Sequence, residues 1–186
     1  MRRSELEHLI RAAGRICGER ELVVIGSQSV LGQFPDAPVA LLMSMEVDLY
    51  PLARPELAEK VDGAIGEGSR FHQTHGYYAQ GVGPETATLP AGWRRRLVRV
   101  ENQNTGNAVG LCLEVHDLAI SKYVAGREKD REFTRELARH GMMDRATLLR
   151  RLAATELVPA VAKAVKGRID RDFPRTSRSR RSSSGV

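Results

Sequence analysis

A mixed sheet followed by a helical second half, an α/β (α+β) fold, is what this 186-residue chain predicts. Three observations carry that expectation. Leu22-Val23-Val24-Ile25 is an unbroken apolar run ending at a glycine, the pattern of a central strand buried on both faces. Residues 96–101 and 108–115 are apolar-rich and flank "NQNTGN", whose Asn and Gly residues favour a turn, so they read as an antiparallel hairpin. From Asp117 onward the apolar residues recur only at helical spacing.

The first helix is expected from Ser4, with Glu7 three residues on as a capping box, and Leu6, Leu9, Ile10, Ala13, Ile16 and Cys17 forming its apolar stripe. Gly18 stops it. The central strand follows, then Gly26-Ser27, then a short helix beginning over 28–31, with Pro35 and Pro38 breaking the chain into a loop. Residues 42–50 form a second strand in which Ser44, Glu46, Asp48 and Tyr50 share one face, and Met43, Met45, Val47 and Leu49 the other. Pro55 suits the first turn of a helix carrying Leu57, Ala58, Val61 and Ile65. Residues 71–82 read as irregular strand and 84–93 as loop. In the second half, Asp117 is expected to cap a helix that Gly126 bends or ends. Residues 128–140 form the next helix, stopped by Gly141. Asp144 caps a third, and 158–169 form a last helix around Pro159. One domain is expected over 1–174, with its sheet-containing core at about 1–115 and its helical part at about 116–174. A basic tail over 175–186, "RTSRSRRSSSGV", should be disordered.

Composition narrows the functional classes. Apolar residues make up 41% of the chain, as in a folded globular protein, and no apolar run approaches the ~20 residues of a membrane span. The start, "MRRSELEHL", enters a helical pattern without the apolar core of a secretion signal. Cys17 and Cys112 sit in apolar patterns as buried thiols, which fits a reducing cytoplasm. Net charge is +6, but four arginines of the tail account for most of it and leave the body at +2. A tail of this kind binds phosphates non-specifically or simply aids solubility.

Three features carry chemistry. Gly26-Ser27 ends a buried strand just before a helix, where a glycine admits close approach of a phosphate and the helix start and serine hydroxyl supply donors. Glu46 and Asp48 put two hard oxygen ligands on one strand face, a set suited to Mg²⁺ or Mn²⁺, or else an ordinary polar strand face. "SKYVAGREKDREF", from Ser121, gathers Lys122, Arg127 and Lys129 around Asp130, to neutralise a polyphosphate or to form a salt-bridged solvated helix. His72 and His75 lack the companions of a zinc site. Trp93 reads as a packing anchor followed by three solvated arginines, Arg94, Arg95 and Arg96.

The order Gly-Ser, spacer, acid-x-acid, basic helix resembles the nucleotidyltransferase-like superfamily, and more closely a bacterial family related to AbiEii/MenT-type toxin nucleotidyltransferases. The stretches that carry the resemblance are "VVIGSQSVLGQFP", "SMEVDLYP", "GEGSRFHQTHGYYAQGV", "LPAGWRRRLV" and "LEVHDLAISKYVAGREKDREF". It implies a metal-dependent enzyme that moves a nucleoside monophosphate from an NTP to a hydroxyl, with Mg²⁺ or Mn²⁺ as cofactor. Gly26 and Ser27 would hold phosphate, and Glu46 and Asp48 would bind the metal. Lys122, Arg127 and Lys129 would contact the nucleotide. Glu46, Asp48, Lys122 and Asp130 would be the catalytic set. It further implies a tRNA 3′ end as acceptor and a cognate antitoxin as partner. This chain departs from the pattern in having Glu at the first acid and a longer spacer before it, and the third acid is left between Glu101 and Glu114, unless Asp130 arrives from the helix. The alternative is a catalytically inactive module of the same fold that binds a nucleotide or a protein.

Overall fold

The computed structural model describes residues 1–174. The basic tail expected at 175–186 lies outside them. Five strands form one mixed sheet: β1 (Glu21–Val24), β2 (Glu46–Pro51), β3 (Tyr78–Gly81), β4 (Val98–Val100) and β5 (Val109–Cys112), in spatial order β3-β2-β1-β5-β4. The apolar run from Leu22 is the central strand, antiparallel to β2 and parallel to β5. The hairpin expected around "NQNTGN" is β4 and β5, paired antiparallel. Helix α1 (Arg3–Cys17) packs on the sheet with Leu6, Leu9, Ile10 and Ala13 fully buried. Gly18 ends it in the left-handed region at φ 71°.

The helical second half is present as α5 (Val115–Ala125), α6 (Glu128–Arg139), α7 (Arg145–Ala153) and α8 (Pro159–Asp172). The first half adds α2 (Val30–Gln33), α3 (Ala58–Ile65) and α4 (Arg70–His75). Asp144 caps α7 by accepting from the Thr147 N–H at 2.8 Å, and Pro159 occupies the first turn of α8, both as the sequence predicts. Among the described residues, no helix is long and apolar enough to cross a membrane.

Four local expectations are corrected. The cap of α1 is Arg2, not Ser4: the Glu5 carboxylate accepts from the Arg2 N–H at 2.6 Å, two residues before the box the sequence offered. Residues 70–75 are a short helix, capped by Ser69, rather than irregular strand. Strand β2 starts at Glu46. Met43 and Met45 precede the strand, 74% and 42% exposed, so the expected apolar face holds only from Val47. Asp117 does not cap α5. Glu114 does, accepting from the His116 N–H at 3.2 Å, while Asp117 is fully buried in an ion cluster with Arg96 at 2.7 Å and Arg151 at 3.0 Å.

Cys17 and Cys112 are buried free thiols. Burial raises both, and pushes Cys112 up to about 12. The thiolate is the reactive species, so native protein should titrate neither cysteine with Ellman's reagent on the time scale in which denatured protein titrates two.

Candidate functional site: an acid pair facing a cationic helix corner

The antiparallel pairing of β1 and β2 creates the site. Val24 is opposite Leu49, and the Ile25 N–H donates to the Asp48 carbonyl at 3.0 Å, so the end of β1 meets the start of β2. Gly26-Ser27 therefore lies against the acid pair although Ser27 and Glu46 are 19 positions apart in sequence. Contact is so close that a Cβ on Gly26 would sit 2.9 Å from Asp48 Cγ and closer still to its Oδ2. Gly26 has φ −78°, so glycine is needed there for space and not for backbone conformation. Gly26→Ala should turn the Asp48 carboxylate away from the turn. We expect a loss of stability of about 1–3 kcal/mol from overpacking and a fall in any transferase activity of about 10²-fold from the displaced carboxylate, read by thermal melts and initial rates.

Glu46 and Asp48 share one face of β2, as the alternation requires, and both line a cleft of about 780 Å³. Burial, then the hydrogen bond and charge of the adjoining Asp48 carboxyl, push Glu46 above the usual carboxylate range, and Lys129 offsets part of the rise. Strand β3 places Tyr78 directly opposite Glu46, and the Tyr78 hydroxyl donates to Glu46 Oε2 at 3.4 Å. Sequence reading missed this tyrosine because only the β2–β3 register brings it to the acid.

The opposite wall is the α5–α6 corner. Gly126 ends α5 in the left-handed region, and α6 starts at once, with Arg127 as its cap residue. Asp130 is the joint: 1% exposed, it bonds Arg127 Nε at 2.6 Å and Lys122 Nζ at 3.3 Å, and accepts from the Arg127 N–H at 3.3 Å. Burial raises its carboxyl, but the Arg127 and Lys122 contacts outweigh that and hold it below the usual range. Lys122 is further held with its ammonium 5.9 Å from the Phe133 ring centre.

Ser27, Glu46, Asp48, Lys122, Arg127, Lys129 and Asp130 thus line one cleft, with Gly26 behind Asp48. Ala40, Leu41 and Met43 supply an apolar rim that the motifs did not signal. Neither proposed third acid is positioned with the pair. Glu101 is engaged by Arg20 at 2.7 Å and Arg99 at 2.9 Å, and Glu114 by His116 at 2.6 Å. Among the described residues, no group of three or more His, Cys, Asp or Glu side chains is arranged to hold a metal. The two acids nevertheless fit a divalent ion such as Mg²⁺. They are hard oxygen donors whose mutual repulsion a cation relieves, and Mg²⁺ commonly takes only one or two carboxylates and completes its shell with phosphate and water.

A family described as nucleotidyltransferase of unknown function (DUF6036) matches residues 4–170. The chain belongs to this family. No curated protein and no solved structure matches it significantly. Membership in this nucleotidyltransferase family agrees with the superfamily resemblance seen in the motifs, and the mixed sheet with its helical second half is the fold they implied.

Proposed function

We propose that this nucleotidyltransferase-family protein transfers a nucleoside monophosphate from an NTP to a hydroxyl acceptor. One observation supports the reading above the rest: the cleft sets an acid pair, which among the described residues makes no ion pair, against three cations from a single helix corner, with Ser27 on its lining and Gly26 packed behind Asp48. Attack on an α-phosphate builds negative charge on the departing pyrophosphate, and preorganised cations at that position lower the barrier. Glu46 and Asp48 would hold Mg²⁺ or Mn²⁺, which when bound supplies charge neutralisation at the phosphates. Ser27 offers its hydroxyl to a phosphate oxygen. Lys122 and Arg127, held in place by Asp130, face the leaving group, and Lys129 adds charge at the mouth. Catalysis by this set is positioning and electrostatics.

The toxin resemblance extends the proposal to the 3′ end of a tRNA as acceptor, a cognate antitoxin as partner and a cytoplasmic setting. Incubation with each α-labelled NTP, Mg²⁺ and bulk tRNA should move label to RNA. Label retained wholly in NTP and free nucleotide, for all four bases, overturns transfer.

A second reading has its own support. Asp130, a further acid lining the cleft, is committed to Lys122 and Arg127, which suits a module that binds a nucleotide without turning it over. In that case Mg²⁺-NTP raises the melting temperature by mass action and no label moves.

A further inference from the structure

The cations of α6 continue beyond the cleft. Arg127, Arg131, Arg135 and Arg139 recur every fourth residue, a slanted row with steps of about 6 Å along the axis. Like charges at this spacing destabilise a helix. Two members are offset: Arg127 by Asp130, and Arg139 by Glu136 at 2.7 Å. Among the described residues, Arg131 and Arg135 have no carboxylate partner; Arg131 Nε donates instead to the Gly126 carbonyl at 2.9 Å.

These two arginines border a second cationic region, between α6 and α8. A depression of about 560 Å³ is walled by Arg131, Lys163, Arg168 and Arg171, and among the described residues no acid lines it. Its floor is Ala160, Ala164 and Gly167, which keeps it open to the α8 backbone. A smaller hollow, lined by Arg131, Arg135, Arg168, Arg171 and Asp172, joins it to Arg135, which also lines the acid-pair cleft beside Glu132 and Glu136, so a predominantly cationic path leads from α8 to the candidate site. The two acids of α8 nearest the depression are engaged. Asp172 Oδ2 accepts from Tyr123 at 2.7 Å and Thr134 at 3.0 Å, and Asp170 is paired with Arg145 and Lys166. Lys163 and Arg171 are exposed and, among the described residues, carry no ion pair.

We propose that this α6–α8 surface binds the phosphodiester backbone of a single-stranded polynucleotide, so that the acceptor of the reaction is a nucleic acid threaded from α8 toward Glu46 and Asp48. The threading rests on the transferase reading; the binding does not. Guanidinium groups match phosphate oxygens with paired donors. A run of cations over a small-residue floor presents charge without shaped side-chain pockets, which suits the repeating phosphates of a polynucleotide backbone, bound electrostatically and without base readout.

The test measures binding of a fluorescent single-stranded RNA to the full chain by anisotropy across a salt series, with Glu46→Gln and Asp48→Asn present throughout so that no transfer occurs. Lys163→Gln with Arg171→Gln should weaken binding about tenfold or more at moderate salt. It should also lower the salt slope by about 1.4, since each single-strand phosphate contact contributes about 0.7. Lys163→Arg with Arg171→Lys should retain binding. Arg11→Gln with Arg15→Gln removes equal charge from α1 and should leave binding within twofold. Equal losses from both pairs, no RNA binding at all, or preference of the same surface for polyglutamate over RNA would each overturn the proposal. RNA binding at this surface in a wild-type protein that transfers no label leaves the surface standing and removes the transferase reading.

Discussion

Replacing Glu46 by Gln together with Asp48 by Asn is expected to lower nucleotidyl transfer at least ~10³-fold, more than the loss of a single stabilising group, while leaving the metal-free protein as stable as wild type or more so. Two carboxylates that share a half-buried strand face oppose each other. Burial and then Asp48 raise the Glu46 carboxyl above its ordinary 4.5. A raised acid in the folded state penalises folding once ionised: the penalty is absent below pH 4.5, grows as pH rises, and is complete above the folded pKa. Both amides remove it, so the variant's melting temperature should depend less on pH across the mildly acidic range. Mg²⁺ should raise the wild-type melting temperature, EDTA should reverse the rise, and the variant should show neither effect. A Mg²⁺-induced rise that survives in the double variant would exclude these two acids as the ion's ligands.

What the sequence disclosed and what it hid divide on physical lines. The central strand was legible because a run buried on both faces leaves no other reading, and the hairpin because "NQNTGN" demands a turn. Helices α5 to α8 were legible from periodicity, from Gly126 and Gly141, from the Asp144 cap and from Pro159. Helix α4 was hidden because six residues, none of them buried, carry no apolar stripe. The start of α1 was hidden because Arg2 is not a capping residue by type: its backbone N–H is satisfied by Glu5. Asp117 looked like a cap because a sequence cannot show that Arg96, 21 residues away, and Arg151 close around it. For the site, the motif residues and their convergence were expected, but the pairings that bring them together were not. Antiparallel pairing of β1 with β2 joins Gly26 to Asp48, and the β2–β3 register delivers Tyr78 to Glu46.

Asp130→Ala should be the most damaging single change at the cationic wall, costing about 3–5 kcal/mol as judged from broken buried ion pairs. It strands the Lys122 ammonium, whose side chain is 12% exposed, and removes the acceptor at the start of α6. Asp130→Asn keeps the shape and one acceptor, and separates two roles. If Asp130 positions Lys122 and Arg127, the Asn variant should keep the Mg²⁺-induced rise in melting temperature, raise KM for NTP and lower kcat. If Asp130 is instead the third metal ligand, the Mg²⁺ response should fall with it. Acid titration gives an independent reading, because its sign is opposite to that of Glu46. The Asp130 carboxyl lies below its ordinary 3.8, so its stabilising contribution is present at neutral pH and is lost as pH falls through the folded value. The stability gap between wild type and Asp130→Asn should therefore close in strong acid, while any gap from Glu46→Gln opens only as pH rises above 4.5. A gap at Asp130 that widened in acid would mean that its carboxyl is not ionised against Lys122 and Arg127, and the cationic wall would lose the anchor that aims it at the cleft.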